Sequence, residues 1–233
     1  MNAITLLQKD IHAHIGIDDS NFTHIQQQNI VPVVLHEFVR VAQEYPIVFV
    51  KSTESGQFQP VAVLAIKTGT NLFVKSGKWV GTYQPLSVRN APLCLVPEEE
   101  GSDRLLIGIN ETSPRIGLDC GEKLFTDSGD ESEFFAARKA ALIDYFEKEQ
   151  VSQPLTQLLA SLDLLNAQSI NLNVAGSHVN LNGIYIVDEE KLNNLPDEQF
   201  LMLRQRGVLP SIYAHLLSGQ RWERLVSLSA ATE

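Results

Sequence analysis

The chain has 233 residues, of which 44% are hydrophobic and 20% charged, with a formal net charge of -10 and a pI near 5.1. That length and composition suit one large or two small globular domains, with a core that needs no disulfide or metal staple. The negative charge opposes non-specific attraction to nucleic acid or anionic lipid. Arg204, Arg206, Arg221 and Arg224 are interleaved with neutral and acidic residues. No run reaches the ~18 apolar residues of a membrane span.

The start of the chain lacks a basic region followed by a sustained apolar one, so no secretory signal is expected. Asp18-Asp19-Ser20-Asn21 reads as a turn. Pro32 is suited to opening a helix, and Val34, Phe38, Val41 and Tyr45 recur at helical spacing until Pro46 stops it. Residues 47–51 form a buried strand, and a turn at 52–56 leads to a second strand over 58–66, an antiparallel hairpin. Residues 71–74 read as a third strand between Gly69 and Gly77, and residues 93–96 and 105–109 as two more around the acidic loop 97–103.

Near residue 127 the pattern changes. Asp130 with Glu133 resembles a capping box, followed by an apolar stripe of Phe135, Leu142, Ile143 and Phe146. Pro154 is read as restarting a helix lined by Leu155, Leu158, Leu159, Leu162 and Leu165. Ile170, Leu172 and Val174 alternate with Asn171 and Asn173, as Val179 and Leu181 do with Asn180 and Asn182 across the Ala175-Gly176-Ser177 turn. This is a half-exposed hairpin. Two helices follow, one between Pro196 and Gly207 and one between Pro210 and Ser218-Gly219, with little patterning after Leu225. Strands first and helices later predict an α+β fold with a mainly antiparallel sheet in the N-terminal half. The expected organisation is one domain over 1–233, strand-rich to about residue 127 and helix-rich from about residue 128.

Several groups invite chemistry. His12 and His14 would share one face of a strand, and His24 and His36 could complete a metal set; unrelated surface or capping histidines are the simpler reading. Glu37 would be a general base or a backbone anchor if buried, and Asn71, Trp79 and Tyr83 could line a ligand groove. Asp188 with Glu189 is most simply an N-cap. Tyr213 and His215 point to different helix faces. In Asp119-Cys120-Gly121 the acidic neighbours disfavour a thiolate. Cys94 and Cys120 form no C-x-x-C, and as reduced thiols they fit a cytosolic protein, with a single disulfide left open. There is no G-x-S-x-G, G-x-G-x-x-G, Walker loop or H-E-x-x-H.

A set of segments spread along the chain carries a family resemblance. They are Val31-Pro32-Val33, Glu37-Phe38 and Tyr45-Pro46-Ile47-Val48-Phe49; Asn71-Leu72-Phe73-Val74, Gly77-x-Trp79 and Tyr83-x-Pro85. Further on come Leu181-x-Gly183-x-Tyr185-x-Val187-Asp188-Glu189, Leu192-x-x-Leu195-Pro196-Asp197-Glu198 and Ile212-Tyr213-Ala214-His215-Leu216-Leu217-Ser218. Together they resemble the SapC family, named after a surface-layer-associated product. The resemblance implies no catalytic residue set and no cofactor. It implies an accessory role beside a surface layer or outer-membrane receptors of the TonB type. The family's pattern after the tryptophan departs here to Arg89-Asn90-Ala91-Pro92-Leu93, so no role is carried onto that segment.

The expected function is therefore a non-catalytic accessory or interaction protein, bacterial and cytoplasmic, with a protein partner and with surface association by non-classical export left open. The alternative is a small-molecule sensor or an enzyme of unrecognised type whose pocket gathers Glu37, Asn71, Trp79 and Tyr83.

Overall fold

The computed structural model describes residues 4–99, 102, 104–118 and 120–231. Asp119, the end of the acidic loop at 97–103 and the first three residues, all used in the sequence reading, lie outside that set or partly so. In chain order the elements are β1 (Ile4–Leu6), α1 (Lys9–His12), β2 (Gly16–Ile17), β3 (Ile30–Pro32), α2 (Phe38–Val41), β4 (Ile47–Lys51), β5 (Phe58–Val63), β6 (Val74–Lys75) and β7 (Lys78–Trp79). Then come α3 (Leu86–Asn90), β8 (Leu93–Pro97), β9 (Leu105–Asn110), β10 (Ile116–Gly117), β11 (Glu122–Lys123) and α4 (Glu133–Ser161). The chain finishes with β12 (Leu165–Val174), β13 (Ser177–Val187), α5 (Glu189–Asn193), α6 (Asp197–Gln205), α7 (Leu209–Ser218) and α8 (Arg221–Ala230). The fold is α+β with antiparallel sheets.

The chain divides into two compact units, each built from separate stretches. The first comprises Met1–Gln26, Val74–Val80 and Leu86–Glu147; the second comprises Gln27–Phe73, Gly81–Pro85 and Lys148–Glu233. In the first unit β1-β9-β8 form one three-stranded sheet, β10-β2-β11 a second, and β6-β7 a small hairpin. Its core gathers Ile17, Leu93, Ile109, Leu124, Phe125, Phe135 and Leu142, which joins the sheets to the first part of α4. Ser132 caps α4, accepting the Phe135 amide at 3.1 Å on its hydroxyl. The expected cap at Asp130 is displaced because the Asp130 side chain instead accepts the Ser128 hydroxyl.

The second unit is a five-stranded antiparallel sheet in the order β12-β13-β4-β5-β3. The early strands β4, β5 and β3 are thus joined in one sheet by the hairpin near the end of the chain. The helix expected across residues 32–45 is broken. Val31 and Pro32 pair with Ala62 and Val61 as an edge strand, a place where proline's missing amide costs nothing. A 3-10 turn over Leu35–Glu37 and the single helical turn α2 then follow. The four residues at helical spacing, Val34, Phe38, Val41 and Tyr45, are nevertheless all buried. Burial of the apolar face outweighs continuity of the helix; each such side chain contributes roughly 1.5–3 kcal/mol.

Three further differences have local causes. Asn71 is not in a strand: its side-chain oxygen accepts the Phe73 amide at 2.9 Å and holds a turn, so pairing begins only at Val74. Pro154 lies inside α4 rather than at the start of a new helix. The helix ends seven residues later, where Asp163 adopts φ of 54° and the Leu164 amide reaches back to the Leu159 carbonyl at 3.0 Å. That is the left-handed stop usually supplied by glycine, and it sends Leu165 into β12 instead of along the helix. Last, the segment after Leu225 is helical to Ala230, with Leu225 fully buried as its anchor.

Gly121 marks a very tight backbone approach. It has φ of 60°, and a Cβ there would lie 1.9 Å from the Ile17 carbonyl oxygen. Gly176, at φ of 88°, has nothing within 4 Å. Gly121→Ala is expected to destabilise the protein by more than about 3 kcal/mol and Gly176→Ala by only about 1 kcal/mol. Urea titration of both variants checks the order.

Candidate functional site

The second unit holds two buried carboxylates, both on the segment around α2. Glu37 is 3% exposed. Its Oε1 accepts the Val34 amide at 3.0 Å and its Oε2 accepts the Tyr83 hydroxyl at 2.8 Å. It is therefore a backbone anchor in the sense the sequence allowed, and it also fixes a tyrosine ring. Glu44, which no local pattern singles out, is 1% exposed. Its Oε2 accepts the Thr82 amide and hydroxyl, each at 2.8 Å, and the Tyr83 amide at 3.0 Å. The Tyr45 hydroxyl lies 3.0 Å from the same oxygen and 2.5 Å from the Tyr83 carbonyl, so its proton is shared between them.

Arg224 on α8 donates to Glu44 Oε1 at 2.9 Å and lies 5.6 Å over the Phe73 ring, which Tyr45 meets edge-on at 4.6 Å. The result is a strap, residues 81–85, held to α2 by two carboxylates. Burial alone would raise the Glu44 pKa, but the bonds from Tyr83, Thr82 and Tyr45 outweigh it and hold the group below its usual 4.5. A carboxylate so committed is a fixed anion.

Of the other candidate ligand residues, Asn71 belongs to this unit and is engaged with Phe73, while Trp79 belongs to the first unit. There it sits in β7, after a two-residue turn with Ser76 and Gly77 both at positive φ, and packs on Phe22 with centroids 5.8 Å apart. The structure thus joins Glu37 directly to Tyr83 and places Asn71 in the same unit.

The histidines separate. His12 ends the helical turn α1, so it and His14 do not alternate along a strand. His12 is buried, with Nε2 3.0 Å from Glu111 Oε1 and Nδ1 against the Gln8 backbone. His14 and His36 are exposed. Among the described residues no three His, Cys, Asp or Glu side chains come together to hold a metal. His24 stacks beside Phe22, and burial followed by the charge of Arg115 pushes its pKa down to about 4. Both cysteines are free thiols; Cys120 faces the carbonyls of Gly16 and Arg115, and burial pushes the Cys94 thiol up. Asp188 caps α5, accepting the Lys191 amide at 3.0 Å.

Arg115 is a second group invisible to pattern reading. It is 1% exposed in the first unit and donates to the carbonyls of Asp18, Val88 and Ala91 and to Asp19 Oδ1 at 2.6 Å, with Phe22 beneath it at 5.4 Å. Arg138 takes the other Asp19 oxygen and the Arg89 carbonyl. The segment where the chain departs from the resembled pattern is thereby pinned by two arginines. The Asp18-Asp19 pair was legible as a turn, but its role as counter-charge was not. His215 in α7 is buried and accepts the Val187 amide at 3.0 Å on Nε2, while Tyr213 is exposed, the two on different faces as their spacing requires.

Because Glu44 is depressed in the folded state, its contribution to stability is complete above pH 4.5 and is lost as pH falls through its lower folded value. Glu44→Gln is expected to cost about 2–4 kcal/mol at pH 7, since it strips the charge from a buried, fully bonded group. The difference from the parent protein should shrink steadily below pH 4.5. Urea midpoints of both proteins from pH 7 to pH 3 measure it; a difference that grows with acidity contradicts the assignment.

No curated protein and no solved structure matches the chain. The sequence model of one family, SapC, does match it, over residues 7–225. With nearly the whole length covered, the chain belongs to the SapC family.

Proposed function

We propose that the chain is a non-catalytic accessory protein that binds a protein component of surface-layer or outer-membrane assembly or uptake. It works from the cytoplasmic side, and among the described residues no helix is long and apolar enough to cross a membrane. Its family membership supports this reading. So does the use of its two buried carboxylates near α2 as anchors for the 81–85 strap rather than as groups facing a substrate.

The observation that carries the reading is the division of labour on α7. Ile212, His215 and Ser218 face the interior, while Tyr213 and Leu217, one turn apart, stand 42% and 64% exposed on the outer side. Exposed aromatic and aliphatic side chains on a helix anchored from behind are the material of a protein-binding hot spot. The neighbouring α2, packed against α7, adds exposed Val39.

The test is capture by tagged full-length chain from a lysate of its own cells, with the retained proteins identified. A surface or outer-membrane assembly component is expected, and Leu217→Asp with Tyr213→Asp should reduce its retention at least tenfold, as loss of a hot spot does. Equal retention by the double variant, or no such component retained by the parent, removes the proposal.

A further inference from the structure

The sheet of the second unit has two edges of opposite character. One edge is β3, three residues long and ending in Pro32, the form in which proteins ordinarily blunt an edge. The other edge is β12, ten residues long. The hairpin it forms with β13, residues 165–187, contains no Asp, Glu, Lys, Arg or Pro. At the 20% charge content of the chain, a run of that length would carry between four and five charges. The hairpin thus lacks the charges and the proline that ordinarily blunt an edge, and β12 is not short.

The hairpin also leaves the sheet. Gln168 pairs with Ile184, and the next pair is Ile170 with Leu181, so β13 carries an extra residue at a bulge containing Gly183, whose φ is 76°. Pairing of β13 with β4 stops there: its only partners are Ile184 with Val50 and Tyr185 with Phe49. Residues 177–183 pair with β12 alone. On this ribbon Asn171, Asn173, Asn180 and Asn182 are exposed, while Ile170, Leu172, Val179 and Leu181 are half-buried, and α8 packs against β12. One face is polar and the other partly covered, while the outer backbone edge of β12 is terminal in the sheet order.

We infer that this edge pairs with β12 of a second copy of the chain, antiparallel about a two-fold axis, to give a continuous ten-stranded sheet. The occupant follows from charge and symmetry. Two copies that each carry -10 repel one another in general, and the long uncharged hairpin is where they meet without like-charge pairs. Antiparallel self-pairing also keeps each side chain on its own face. With Ile170 on the axis, Gln168 lies opposite Leu172 and Ser169 opposite Asn171, so the asparagine face and the aliphatic face both continue across the junction. At the far side of each copy's sheet stands the short, proline-ended β3, which does not extend the assembly there. This association concerns the sheet edge, not the outer side of α7, so it and the accessory reading can fail separately.

Sedimentation equilibrium of the full chain from about 1 µM to about 100 µM reads the association directly. A monomer–dimer equilibrium with no larger species is expected. Asn171→Lys and, separately, Ser169→Lys should weaken it at least tenfold, since each places like charges near one another across the axis. Each also changes the net charge from -10 to -9, which reduces general repulsion, so weakening is not a bulk charge effect. Gln205→Lys, an exposed change at the end of α6, makes the same charge change and should not weaken it. Melting temperatures confirm that all variants are folded. A parent chain that is monomeric throughout, or Lys variants at 169 and 171 that dimerise as Gln205→Lys does, overturns the inference.

Discussion

Two buried amides govern the architecture of the second unit. If the β13–β4 ladder ran on from Tyr185 and Phe49, Val187 would face Ile47, but the pairing ends before they meet. Their amides then need partners within the core, where an unpaired donor costs about 1–3 kcal/mol. Helix α7 supplies both. The Ser218 hydroxyl accepts the Ile47 amide at 2.9 Å while donating to the His215 carbonyl at 2.6 Å, and His215 Nε2 accepts the Val187 amide at 3.0 Å. The imidazole is also held edge-on against Phe49, with centroids 5.1 Å apart.

This arrangement fixes what the helix can offer outside. With one face locked into the sheet by polar bonds as well as by Ile212, the ridge of Tyr213 and Leu217 stands exposed on the opposite side. For the partner binding proposed above, side chains on an anchored helix would lose little conformational freedom on association. At its other end the short β13–β4 ladder is closed by the Gly183 bulge, and the hairpin continues alone. One interrupted ladder thus sets both the anchored helix and the outward ribbon. The buried carboxylates fit the same logic, since Glu37 and Glu44 tie a distant strap to the α2 segment.

What the sequence made legible were local signals with a local cause. Strand β4, the alternating asparagines of the hairpin, the Asp188 cap and the stop at Gly207 with φ of 70° all follow from periodicity or backbone restriction. Residues 32–45 misled because burial at helical spacing does not require a helix: an edge strand, a 3-10 turn and one helical turn buried the same four side chains. Pro154 misled because the helical segments on either side of it are long enough to carry the missing bond. For the candidate site, the anchoring role of Glu37 was foreseeable from a carboxylate three residues after Val34. The Glu44–Arg224 and Arg115–Asp19 pairs were not, because their partners are separated by 180 and 96 residues and nothing local marks them.

His215 is a neutral acceptor wedged at the end of an interrupted ladder. Burial pushes its pKa down to about 4, against the opposing influence of the Ile47 backbone. Nitrogen-detected NMR of the imidazole tests this most directly. His215 is expected to keep Nε2 unprotonated, with its proton on Nδ1, and not to titrate between pH 7.5 and about pH 5. A His215 that titrates near 6.5, or that carries its proton on Nε2, would contradict it.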